Sequence, residues 1–243
     1  MRKVLAVGLV AAVLVTAACS EAHSESGGPT VSRNYTVGGF TTIEVAGPYA
    51  VEVQTGGKPS VSASGPEKMI EHMIVEVKGD RLLIHPQEQR GIFHHGWSFT
   101  GGTVHVTVSV PQLQGAAIAG SGDIQVNAVK GAAFEGSVGG SGNLGVGQLD
   151  VQTLKFSIGG SGGIKAGNGR TRNADYAISG SGDIDARGVQ AETASVSIAG
   201  SGNVAAHANG TAEVNMLGSG DVEMTGGAKC SINKHGSGDV RCS

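Results

Sequence analysis

Apolar and polar residues alternate along most of this chain, and a Gly-Ser-Gly tripeptide interrupts the alternation at regular intervals. It begins at Gly120, Gly140, Gly160, Gly180, Gly200, Gly218 and Gly236, with steps of 20, 20, 20, 20, 18 and 18 residues. Four places after each first glycine stands a branched aliphatic residue: Ile124, Leu144, Ile164, Ile184, Val204, Val222, Val240. Two places before it stand Ile118, Val138, Ile158, Ile178, Ile198 and Met216, and two further back lie Phe156, Tyr176, Val196, Val214 and Ile232. Two places beyond the aliphatic come Val126, Val146, Ala166, Ala186, Ala206, Met224 and Cys242. A spacing of two on both flanks is the period of a strand.

Each unit therefore reads as strand, Gly-Ser-Gly bend, strand, and a looser return such as His207-Ala208-Asn209-Gly210-Thr211, where Gly and Asn interrupt any helix. A unit this short cannot bury its own apolar face, so it must stack on copies of itself. Strands of successive units then pair in parallel, about 4.8 Å apart. The expected fold is all-β, a parallel β-helix (β-solenoid) with coils of about 20 residues, right-handed by the crossover rule. Both glycines of each bend are expected to supply positive-φ conformations: Gly120 and Gly122, Gly140 and Gly142, Gly160 and Gly162, Gly180 and Gly182, Gly200 and Gly202, Gly218 and Gly220, Gly236 and Gly238.

The position after each bend is Asp123, Asn143, Gly163, Asp183, Asn203, Asp221 and Asp239. Turn chemistry explains it, because Asp and Asn side chains bond nearby backbone N–H groups. A row of bound cations is the competing reading, since aligned carboxylates repel. Asn and Gly interrupt the row, and its period is far from that of calcium-binding β-rolls, so turn chemistry is preferred and no metal site is assigned.

Ahead of the repeat the strands are less regular. Thr41 to Val45 and Tyr49 to Val53 alternate and are split by Gly47-Pro48; Pro66 to Met73 suggests a short helix or turn. Val75, Val77, Leu82 and Ile84 flank Lys78-Gly79-Asp80-Arg81, a hairpin signal, and Val104, Val106, Val108 and Val110 form the cleanest strand. These are expected to be opening coils that also cap the solenoid, since an uncovered end exposes unpaired backbone groups.

The N-terminus reads as a targeting signal, with Arg2 and Lys3 before an apolar run from Val4 to Val15 that is too short for a comfortable membrane span. Thr16-Ala17-Ala18-Cys19 resembles a bacterial lipobox, which implies cleavage before Cys19, its lipidation, and attachment to the membrane, the outer one where the cell has one, since Ser20 is not Asp. The expected organisation is a signal peptide over 1–19, a flexible tether over 20–33 and one β-helix domain over 34–243. Within that domain, 34–113 are irregular opening coils and cap, and 114–243 are seven Gly-Ser-Gly coils.

Gly-Gly-Phe-Thr-Thr-Ile at 38–43, the Pro-Glu-Lys-Met-Ile turn, and Thr-Val-His-Val-Thr-Val-Ser-Val-Pro before the first Gly-Ser-Gly-Asp resemble the bacterial DUF2807 family, called the putative auto-transporter adhesin, head GIN domain. The resemblance covers about residues 34–241. It implies an extracytoplasmic β-helical protein and brings no catalytic residues with it.

Composition narrows the function further. The chain has 17 basic and 20 acidic residues, and removal of Arg2 and Lys3 with the leader leaves a net charge of −5, so nothing recruits nucleic acid. Residues 87–102, QEQRGIFHHGWSFTGG, concentrate Phe93, His94, His95, Trp97 and Phe99 in a chain poor in aromatics. They read either as a contact loop or as a lid folded over the early coils. The best charged cluster for a carbohydrate-active enzyme is Arg170, Arg172, Asp175 and Arg187, which reads more simply as solvated positions in a return. The expected function is a non-catalytic, membrane-anchored binding or adhesion module, its partner an envelope glycan or another surface protein. A structural envelope lipoprotein and a polysaccharide-active enzyme are the alternatives, and no cofactor is called for. Once Cys19 is lipidated, Cys230 and Cys242 remain, 12 residues apart in the last coil, and an oxidising compartment favours a bridge between them.

Overall fold

Residues 20 apart in the repeat lie side by side: Leu144 pairs with Ile124 on one neighbouring coil and with Ile164 on the other. The computed structural model describes residues 28–87 and 102–243. In chain order the elements are β1 (Thr30–Tyr35), β2 (Thr42–Ala46), β3 (Tyr49–Thr55), β4 (Ser60–Pro66), α1 (Glu67–Glu71), β5 (Met73–Lys78), β6 (Arg81–Pro86), β7 (Val104–Val110), β8 (Gly115–Gly120), β9 (Asp123–Gly140), β10 (Asn143–Gly160), β11 (Gly163–Gly180), β12 (Asp183–Gly200), β13 (Asn203–Gly218), β14 (Val222–Thr225), β15 (Lys229–His235) and β16 (Val240–Cys242). Stacked parallel coils make a β-solenoid of about 6 turns.

Strands β9 to β13 each run almost a whole coil. In β10 the inward residues are Leu144 and Val146, then Leu149 and Val151, then Leu154, Phe156 and Ile158. Steps of two separate residues within each group, and steps of three separate the groups. Each longer step leaves two consecutive residues facing out, Gly147-Gln148 and Gln152-Thr153, and so turns the chain. With the Gly-Ser-Gly bend this makes three sides and three corners per coil.

The looser return expected from the sequence is thus the second side, and it is strand. Gln148, Leu149 and Asp150 pair with Asn168, Gly169 and Arg170 of the next coil. Each coil supplies donors and acceptors to the next, so the return has partners for its backbone groups that outweigh the poor strand propensity of Gly and Asn. The shortening from 20 to 18 residues falls on this side: Ala186 pairs with Ala206, but Gln190 pairs with His207.

The opening strands continue the same sides. On the first side β3 lies against β9 and β7 lies against β3; on the third side β8, β2 and β6 follow one another beneath β9. The bend at Gly47-Pro48 between β2 and β3 stacks beneath Gly-Ser-Gly 120–122. The parallel stack then ends in antiparallel strands, β4 and β1 on the first side and β5 on the third. Helix α1 follows β4 and leads into β5, with Pro66 at its N-cap and Ile70 wholly buried. Residues 30–33, assigned to a tether from sequence, form the first part of β1 paired to β4.

Candidate functional site

The bend corner is built from two glycines with different duties. The first glycine of all seven bends has φ between 132° and 140°, a region that side chains resist. The second glycine of each bend is not among the positive-φ residues. Its requirement is space: a β-carbon on Gly142, Gly162, Gly182, Gly202, Gly220 or Gly238 would run into the carbonyl oxygen of the second glycine one coil earlier. The expectation of two positive-φ glycines per bend is corrected on this point. Between them the serine N–H donates to the first glycine's carbonyl of the preceding coil, as in Ser161 to Gly140 at 2.9 Å and Ser181 to Gly160 at 2.8 Å.

The Asp/Asn row is a ladder between coils. The Asp123 carboxylate accepts from both the backbone N–H and the side-chain amide of Asn143, each at 2.9 Å. Asp183 does the same for Asn203, at 3.2 and 2.8 Å. The Asn203 amide oxygen accepts from the Asp221 N–H, and the Asp221 carboxylate from the Asp239 N–H, both at 2.9 Å. Gly163 interrupts the row, and the Asp183 N–H donates to the Gly162 carbonyl instead, at 3.2 Å.

That interruption opens a hollow of about 500 Å³ on the outer face of the first side. Gly145, Gly147, Gly163 and Gly167 form its floor because they lack side chains. Gln125, Asn143, Lys165, Asp183 and Asp185 surround it. Gly147 and Gly167 also sit at the first corner, where a β-carbon would meet the backbone of the coil before. The guanidinium of Arg187 donates twice to Asp185, at 3.0 Å each, and these bonds hold the Asp185 carboxyl below the usual carboxylate range, with Lys165 acting in the same direction. The sequence signal for the hollow is glycine at outward strand positions in two successive coils, which reading the Gly-Ser-Gly bends alone passes over.

The charged cluster named from sequence is not brought together. Arg170 faces Asp150 at 3.8 Å, Arg172 faces Glu192 at 3.9 Å, and Arg187 is held by Asp185, while Asp175 lies in the row of Lys155. Among the described residues no group of three or more His, Cys, Asp or Glu could hold a metal ion, and no helix is long and apolar enough to cross a membrane. Cys230 and Cys242 form a disulfide with Cα atoms 6.6 Å apart. Cys19 and the aromatic residues Phe93, His94, His95, Trp97 and Phe99 lie outside the described residues.

These features define a β-solenoid with a hydrogen-bonded bend corner and a glycine-floored hollow on one side. The family model described as "Putative auto-transporter adhesin, head GIN domain" (DUF2807) matches residues 39–228, and the chain belongs to that family. No curated protein matches it. The fold is similar to that of a "putative adhesin" from Bacteroides fragilis, with TM-score 0.75 and 22% identity over 88% of this chain and 97% of the other. It is also similar to a "Putative lipid binding protein" from Parabacteroides distasonis, with TM-score 0.71 and 23% identity over 90% and 98%. A "putative adhesin" from Parabacteroides merdae gives TM-score 0.68 and 19% identity over 90% and 98%.

Proposed function

We propose that this protein is a non-catalytic binding module of the cell envelope, held outside the cytoplasm by a lipid on Cys19, and that the hollow on its first side takes an envelope glycan. The hollow is the observation that carries this reading. Four glycines remove side chains from a face that is otherwise covered, and amide, ammonium and carboxylate groups stand around the space left. Such groups donate to and accept from sugar hydroxyls at the same time. The family description as an adhesin supports a binding role at the surface. An anchor at Cys19 would put the β1 end of the solenoid nearest the membrane and direct the later coils away from it.

The test is binding of the full chain to immobilised peptidoglycan, purified envelope polysaccharides and lipid vesicles. The vesicles are included because of the description of the Parabacteroides distasonis protein. Retention on a polysaccharide that weakens about tenfold or more in Lys165→Ala and Asp185→Asn supports the glycan reading. Retention on vesicles alone, or on nothing, overturns it.

A further inference from the structure

The two ends of the solenoid are closed by different means. At the N-terminal end, antiparallel β1, β4 and β5 with α1 replace the parallel stack. At the other end, among the described residues β15 and β16 have a parallel neighbour on one side only, β13 and β14 respectively. Ile232 continues the inward column of Phe156, Tyr176, Val196 and Val214, yet it is 49% exposed, with no coil over it among the described residues. An edge of this kind is a template for another chain.

The residue that breaks the pattern there is Lys234. Its position is the inward column of Ile158, Ile178, Ile198 and Met216, and it pairs directly with Met216. Its ammonium donates to the Gly238 carbonyl at 2.7 Å. In earlier bends the equivalent carbonyls of Gly142, Gly162 and Gly182 accept from a backbone N–H of the next coil, at 3.1 to 3.3 Å. Lys234 supplies such a donor from within its own coil, whereas in the two bends before it the next coil's N–H goes to the side chain of Asn203 or Asp221 and not to the glycine carbonyl. Lys234 also puts a charge where a following coil would need an apolar side chain, and burying it unpaired there is costly. The surroundings strengthen the effect. Residues 226–243 carry Lys229, Lys234 and Arg241 against Asp239, a net charge of +2, while the whole chain has −3. Two such ends brought together would repel.

We propose that Lys234 is a stop residue, which satisfies the last bend and keeps the open C-terminal end from pairing with the same end of a second copy. The apolar Ile232 and the unpaired edges of β15 and β16 supply the attraction that it holds in check.

The experiment compares the full chain, expressed with its own leader and purified in detergent, with Lys234→Met, Lys234→Gln and Lys234→Arg. Sedimentation across a concentration series reads the mass of the protein in each. Wild type and Lys234→Arg should stay monomeric. Lys234→Met should rise with concentration toward twice the monomer mass, and hydrogen exchange should slow at β15. Adding Ile232→Lys to Lys234→Met should return it to monomer. If Lys234→Met fails to fold, Lys234→Gln, which keeps a donor and loses the charge, should associate in its place. A wild type that already pairs through β15, or folded variants that all remain monomeric, would overturn the proposal.

Discussion

The carbonyl oxygen of Gly142 occupies the place that a β-carbon on Gly162 would need, and Val138 closes the same space from another side at 2.6 Å. Gly162 is therefore glycine because of its neighbour one coil away. Gly159, three residues earlier, has no atom of the other described residues, its two chain neighbours aside, within 4 Å of where its β-carbon would stand. Gly162→Ala should destabilise by about 3 kcal/mol or more, since backbone must move in two coils. Gly159→Ala should be neutral or stabilise by up to about 1 kcal/mol, through lower chain entropy in the unfolded state. Thermal unfolding of the two variants side by side checks this, and equal losses would show that the spacing of the coils is looser than described.

Tyr176 packs in the core against Phe156, with ring centroids 6.1 Å apart and planes tilted by 34°, and its hydroxyl has no hydrogen-bond partner among the described residues. Burial raises the pKa of that hydroxyl well above the tyrosine range. Desolvation of an unpaired hydroxyl opposes folding. Tyr176→Phe removes it and keeps the ring, so it should stabilise by about 1 kcal/mol. Denaturant unfolding measures the change, and a loss of stability of that size would reveal a partner for the hydroxyl.

The bends and the columns beside them were legible because Gly-Ser-Gly fixes the phase of each coil and the strand period fixes which residues face in. Leu144 between Ile124 and Ile164 follows directly from a 20-residue register. The Lys78 to Arg81 hairpin and the short helix after Pro66 were legible for local reasons, turn chemistry and helical spacing. The second side was not. In Leu149, Val151 and Ala191 its inward residues are apolar, but Asn168, Gly169, Gly188 and Asn209 around them read as loop, and only pairing to adjacent coils makes them strand. The duty of Gly162 was hidden for the same reason, since its constraint comes from a residue 20 positions away. The hollow at Gly145 and Gly163 depends on outward side chains that are missing, and a search for inward columns passes over those positions.

Asp185 and Arg187 make a paired contact beside the hollow, and it has a pH signature. The folded-state pKa of Asp185 is depressed, first by its hydrogen bonds to Arg187. The pair therefore adds stability above the unfolded carboxylate pKa of about 3.9 and loses it as pH falls through the lower folded value. The side chains are partly exposed, so the contribution should be under about 1 kcal/mol. Asp185→Asn should unfold slightly earlier than wild type at neutral pH, and the difference should vanish at pH below the folded value. Melting curves from neutral to acid pH check it, and a gap that widens in acid would contradict the assignment.

Cys230 and Cys242 lie on the two strands that flank the final bend, Cys230 pairing with Ala212 and Cys242 with Met224 of the coil before. Among the described residues each strand has a neighbour on one side only, so this coil should be the first to fray. A bond between them closes a loop of 12 residues around the bend, with Cα atoms 6.6 Å apart, inside the range a disulfide spans. Closing a loop of that size stabilises by about 3 kcal/mol in the chain-entropy model. The effect should be local, because β10 to β12 have neighbours on both sides and do not depend on the last coil. Reduction should therefore speed hydrogen exchange across residues 229–242 and leave the amides of β10 unchanged. Cys230→Ser should act as reduction does. The state of the bond itself is read by titrating thiols in the unfolded, unreduced protein carrying Cys19→Ser. No reactive thiol is expected, and two reactive thiols would mean that β15 and β16 are held by their hydrogen bonds to β13 and β14 alone.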